Sequence, residues 1–241
     1  VDFIVDRDAF PSVNINGGVN YFVWDRDNES DCEIVTVAAG GVWGKPEKRP
    51  LDEFDIFIRR NDAVAVLRKV MKKDEGRFAI HVSSRKPFGL PTDYHGASNP
   101  SKTKPIKFYG SGRVTWVSND ELLTNHGWVN KWKVLIGRAT DGNENYPLPI
   151  WDQVGPFIAR PGEACSETFL VAHVSKSQAE AKNVVAYMST KFFRFLVSLR
   201  KSTQDNKADL FAFVPDLDMT KAWTDKELYK RYGITEKEQA L

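Results

Sequence analysis

The run at residues 17–27, "GGVNYFVWDRD", sets the strictest condition on the fold. Val19, Tyr21 and Val23 alternate with Asn20, Phe22 and Trp24, so apart from one asparagine both faces of an extended strand here are β-branched or aromatic. A strand apolar on both faces belongs inside a sheet, and such a sheet needs partner strands and crossover segments. The sixteen residues before Gly17 are too few to supply them. The run is therefore expected to complete a sheet whose other strands belong to a longer chain, with these 241 residues a fragment of it.

Downstream the pattern mixes strands and helices. Residues 55–59 and 77–82 read as strands, and between them Asn61 is placed to cap a helix carrying Val64, Leu67, Val70 and Met71 at helical spacing. A loop rich in Gly, Pro, Ser and Asn occupies 83–105, a length that inside a compact domain points to function. Strands are expected at 106–109, 113–117, 132–136, 168–174 and 210–215, with a second irregular run at 138–157. Ser118-x-x-Glu121, Ser177-x-x-Glu180 and Thr224-x-x-Glu227 are capping boxes. The second opens a single helix predicted over 178–202, whose stripe of Ala181, Val184, Met188, Phe192, Phe195 and Leu199 faces a core.

The net charge of +2 is uneven. Residues 102–138 hold seven basic side chains (Lys102, Lys104, Lys107, Arg113, Lys131, Lys133, Arg138) against Asp120 and Glu121. Residues 176–207 hold seven more (Lys176, Lys182, Lys191, Arg194, Arg200, Lys201, Lys207) against Glu180 and Asp205, which leaves the remainder acidic. An anion-binding face on a near-neutral body gives this split, and so do two solvated faces that never meet. Composition is ordinary for a globular chain, at 41% hydrophobic and 27% charged. No run approaches the ~18 apolar residues of a membrane span and no secretory leader opens the sequence, so a cytoplasmic protein with no membrane partner is expected. Cys32 and Cys165 show no metal or disulfide spacing and read as reduced thiols.

Catalytic chemistry is missing. His81, His95, His126 and His173 lack metal-ligand spacing, and no serine or cysteine sits in a nucleophile elbow. Asp93 and His95 share a loop without a third partner. Asp6/Asp8 and Asp25/Asp27 flank Arg7 and Arg26, which favours local ion pairing over a cation site. Pro215-Asp216 opens like a nuclease signature that nothing completes. No Gly-rich phosphate loop is present.

Several longer segments carry a resemblance. "RDAFPSVNINGGVNYFVWDRDNESDC" resembles the end of the catalytic domain in restriction-modification methyltransferases of type IIG or type I-like organisation, which modify the exocyclic amine of adenine in DNA. "WKVLIGRATDGNENYPLPIW", "GEACSETFLVA" and "YMSTKFFRFLVSLRKSTQDNKADLFAFVPDLDM" are similar to the target-recognition domain that follows it, of the TaqI-like C-terminal specificity type. The resemblance implies an α+β chain: a methyltransferase remnant at 1–45, a connecting strand and helix at 46–76, and a recognition domain at 77–241. Residues 19–24 would be a late strand of the Rossmann-like methyltransferase sheet. The family's S-adenosylmethionine loop and its Asn/Asp-Pro-Pro-aromatic motif lie upstream of that strand, and Asn99-Pro100 lacks the second proline and the aromatic residue. No cofactor is therefore expected in this chain, with S-adenosylmethionine bound by the parent, which can also carry a nuclease.

What is implied for this chain is recognition of double-stranded DNA, alongside the upstream methyltransferase domain. Arg85 and Lys86 beside Phe88 combine phosphate contact with stacking or wedging. Lys102, Lys104, Lys107, Lys191 and Arg194 are candidate phosphate contacts, and Asn143 and Asn145, flanking Glu144, offer groups for base edges. Two other classes fit the same composition: a general polyanion-binding module, and a subunit-docking scaffold without base specificity.

Overall fold

The computed structural model describes residues 2–4, 12, 19–38, 41–140, 150–151 and 154–241, in which groups of strands and groups of helices form an α+β arrangement. The first sheet has the order β2-β1-β3-β4, with β1 at Asp2–Ile4, β2 at Val19–Tyr21, β3 at Cys32–Ala38 and β4 at Gly41–Arg49. β1 runs parallel to β3 and antiparallel to β2. The strand that starts at Val19 stops at Tyr21, and the side chains after it face solvent: Phe22 is 68% exposed, Val23 95% and Trp24 74%. Tyr21 itself is 61% exposed, so the expected burial on both faces is not met, and β2 is an edge paired with β1 alone among the described residues. Arg26 donates to Asp27, and Asp25 accepts the Asp27 amide, so this acidic pair is a local turn, as expected; Asp6 and Asp8 lie outside the described residues.

Helix α1 (Asn61–Met71) buries the predicted apolar face, but Asn61 does not cap it. Its amide donates to the carbonyls of Ile34 and Lys45 at 2.8 and 3.1 Å, and its oxygen accepts from the buried Arg49, which ties the first sheet to the helix. Residues 55–59 form no strand. The carbonyls of Ile58 and Arg59 accept from the side chains of Arg49 and Thr36 in place of a partner strand. The division drawn at residue 45 falls inside β4, and α1 shares its core with the C-terminal half.

Two further sheets follow. One has the order β6-β5-β9, with β5 at Ile106–Gly110, β6 at Arg113–Val117 and β9 at Glu163–Cys165. The other has the order β10-β7-β8, with β7 at Trp132–Gly137, β8 at Phe157–Ala159 and β10 at Phe169–Ser175. The second is a wall between two interiors. Val134, Ile136, Leu170 and Ala172 pack into a large core with the helices, while Leu135, Ala159 and Val171 join a smaller core with Phe88, Leu90, Ile106, Phe108 and Cys165. A bulge between Val171 and His173 turns His173 to the helix side as well, where its ring stacks on Phe78.

The helix side corrects three expectations. Residues 178–202 form two helices, α3 (Gln178–Ser189) and α4 (Lys191–Arg200), because Thr190 is extended with ψ 150°. The Thr190 hydroxyl donates to the Tyr187 carbonyl at 2.7 Å and accepts the Phe193 amide at 3.1 Å, and Asp225 accepts the amides of Lys191 and Phe192 at 3.0 and 2.8 Å. A threonine that satisfies both helix ends competes with continuation, and a carboxylate stabilises the new N-terminus. Residues 77–82 contain a 3-10 turn at Phe78–His81, not a strand, with Ile80 73% exposed. Residues 210–215 likewise hold the end of a 3-10 turn, Ala208–Phe211, and their continuous apolarity reflects burial of Leu210, Phe211, Phe213 and Val214 on all sides. Among the described residues the remaining α-helices are short: α2 (His126–Val129), α5 (Asp225–Tyr232) and α6 (Glu236–Gln239). The boxes at Ser118 and Thr224 are formed as read, and the Ser177 hydroxyl caps α3.

Candidate nucleic-acid interface

The 83–105 loop has no strand or helix of its own, yet it is pinned throughout. The Ser83 amide donates to Val171 and its hydroxyl accepts the Val171 amide. Phe88 is fully buried in the smaller core, edge-on to Trp128, so its ring is out of reach of a DNA base; the stacking or wedging role expected of it does not survive. Ala97 and Trp116 exchange amide-carbonyl bonds at 2.8 and 2.9 Å, and Gly96 permits that approach, since a Cβ there would lie 2.4 Å from the Trp116 carbonyl. Glu121 gathers the rest. One oxygen accepts from Tyr94 at 2.6 Å and Lys104 at 2.7 Å, and the other accepts the Ser118 amide at 2.6 Å. Burial opposes ionisation of Glu121, but these donors outweigh it and hold the carboxyl at about 2. Burial and the Glu121 carboxylate push the Tyr94 hydroxyl up to about 12.

Arg85 and Lys86 stand on the outer edge of this loop and share one carboxylate. The Arg85 Nε donates to Glu167, whose second oxygen lies 3.6 Å from the Lys86 ammonium. The Glu167 side chain is 5% exposed and the Arg85 side chain 69%. A carboxylate that holds Nε leaves the terminal nitrogens of the guanidinium directed away, in the fork that pairs with two acceptors.

The remaining predicted contacts scatter. Lys102 is exposed and has no acidic partner among the described residues. Lys104 is committed to Glu121 and Lys107 to Tyr109 and Glu163; the Tyr109 hydroxyl holds the Lys107 ammonium above its ordinary range. Lys191 and Arg194 are exposed on α4, across the central sheet from the loop. Asn143, Glu144 and Asn145 lie outside the described residues.

The two basic segments do not turn all of their charge to solvent. Lys133 is fully buried, its ammonium held by the carbonyls of Trp128, Val129, Lys131 and Arg160, and burial lowers it to about 8. Lys201 is buried on Gln204 and Asn206 and is also lowered by burial, to about 8. Arg138 meets Asp205 and Arg200 meets Asp55. With Lys104 and Lys107, at least six of the fourteen basic side chains are thus held by partners within the chain.

Sequence reasoning missed Glu167, which nothing in its neighbourhood marks as a partner of Arg85. Lys226 and Lys230, at i and i+4 of α5, line a shallow groove with Tyr229, Gly233, Ile234 and Gln239. Among the described residues no three His, Cys, Asp or Glu side chains gather as a metal would require, and no helix is long and apolar enough to cross a membrane. No protein-family model matches this chain, and no curated protein does either.

Proposed function

We propose that this chain is the sequence-reading part of a restriction-modification enzyme that methylates adenine in DNA, and that the 83–105 loop faces the duplex. The observation that carries the reading is the Arg85–Glu167 pair: a guanidinium anchored through Nε on a buried carboxylate, its free end in solvent, on a loop fixed by Phe88 and Glu121. An arginine held in that manner suits the two acceptors of guanine in the major groove, where bidentate contact discriminates bases. Lys86 and Lys102 are the phosphate contacts beside it. Lys104 and Lys107 flank them as neutralised pairs, and Lys191 and Arg194, across the central sheet, take no part in this contact.

The sequence resemblance supplies the rest of the proposal. The sheet β2-β1-β3-β4 would be the end of the methyltransferase domain, and the exposed Phe22, Val23 and Trp24 would be covered by its upstream part. S-adenosylmethionine would be bound there, and no step of methyl transfer falls to residues of this chain. The test is selection of a randomised duplex library by the purified chain at low salt. Enrichment of a defined motif that loses one position in Arg85→Ala supports the reading; retention without enrichment leaves only a polyanion-binding module.

A further inference from the structure

The buried Phe88 leaves an apolar role on the loop unfilled, and the structure points to Leu123 for it. Leu123 is 66% exposed, while its neighbour Leu122 is buried. It follows the Glu121 hub and is fastened to the turn at residues 86–89 by three hydrogen bonds. The Leu123 backbone amide donates to the Phe88 carbonyl at 3.0 Å, and next along the chain the Thr124 hydroxyl and the Asn125 side-chain Nδ2 donate to the Pro87 carbonyl at 3.1 and 2.7 Å. The turn is closed by the Gly89 amide on the Lys86 carbonyl at 2.8 Å. Gly89 has φ +83°, and a Cβ there would come within 2.5 Å of the Leu123 Cβ, so the leucine stands directly over the turn that begins at Lys86.

An exposed leucine is ordinary on a protein surface. This one is held on a rigid backbone beside two cations that share a buried carboxylate, and it is not free to fold inward because Phe88 and Leu122 already fill the interior beneath it. A rigid apolar side chain beside a pair of cations matches the edge of an A·T pair in the major groove, where the thymine C5-methyl offers an apolar contact.

We propose that Leu123 reads a thymine methyl next to the base contacted by Arg85. The inference rests on the duplex-recognition reading above and adds a second, apolar reader to it. Its exposure means that Leu123→Ala keeps the fold, which an unchanged melting temperature verifies. The experiment measures binding of wild type and Leu123→Ala to the duplex enriched from the randomised library, and to copies in which each thymine in turn is replaced by deoxyuridine. The expected result is one position where deoxyuridine weakens wild type by about four-fold, the worth of one buried methyl, and does not weaken Leu123→Ala further. Equal weakening of both proteins at every deoxyuridine, or no loss in Leu123→Ala, overturns the inference while leaving Arg85 recognition standing. Failure of wild type to enrich any duplex overturns both.

Discussion

The rings of His81 and His173 lie 4.6 Å apart, and each is held by a different partner: His81 by Asp216 at 2.8 Å and His173 by the Ser175 hydroxyl at 2.9 Å. His173 is buried, and burial first, then the neighbouring His81, lowers it from the ordinary 6.5 to about 4, against the opposing pull of Glu180 and Asp216. The unfolded chain therefore binds this proton more readily than the folded one. Stability should fall as pH drops from about 6.5 towards 4 and be fully present above that window. Melting temperature against pH checks this, and His173→Gln should flatten the slope between those limits.

The junction at Thr190 gives a second expectation. Thr190→Ala removes the hydroxyl that serves both helix ends, and Asp225→Ala removes the carboxylate that accepts two amides of α4. Each should cost about 1 kcal/mol in denaturant unfolding, and the double variant should depart from additivity because both groups act on one helix terminus.

Aromatic truncations should separate the buried from the half-buried. Phe193 and Phe88 are fully buried, in the larger and the smaller core, so Phe193→Ala and Phe88→Ala should each cost roughly 3 to 5 kcal/mol. Phe195, expected on the core stripe, only packs against the larger core from its margin, and Phe195→Ala should cost clearly less. Equal losses at Phe193 and Phe195 in urea titrations would contradict this ordering.

Under the proposed duplex-recognition reading, the layered arrangement predicts unequal roles for the cations. Lys102→Ala should flatten the slope of log affinity against log salt by about 0.9, the change expected when one phosphate is no longer neutralised, and Lys191→Ala should leave it unchanged. Arg85→Ala should cost about 1 to 3 kcal/mol at one base position, and Arg85→Lys should not restore it, because an ammonium lacks the planar fork. Salt titrations on matched and mismatched duplexes resolve all three.

Local signals in the sequence located much of this fold. The strands at 106–110, 113–117, 132–137 and 169–175 and the capping groups of Ser118, Ser177 and Thr224 depend on neighbours a few residues away, and they were legible. The break at Thr190 was not, because its second determinant, Asp225, is 33 residues from Phe192. Phe78 to Val82 alternates like a strand, but the carbonyl that takes the Phe78 amide belongs to Val214, so tertiary structure overrode the pattern. The same limit governs the site. The loop and its Arg85-Lys86 pair were evident, whereas the partner Glu167 stands 82 residues from Arg85, and an aromatic beside two cations reads alike whether it faces inward or outward. Lys133 and Lys201 counted as surface charge because charge in a sequence does not reveal which ammonium is satisfied by carbonyls.

The wall formed by β10, β7 and β8 has a consequence for how such a chain can diverge. Neighbouring residues of β7 answer to different interiors, Val134 and Ile136 to the helices and Leu135 to the loop side. Substitutions accumulating around Phe88, Leu123 and the 83–105 loop are thus insulated from the helical half by a layer of main chain. A lineage can remodel this loop while inheriting the helices unaltered, so its exposed surface can change by local replacement without the whole fold being selected anew.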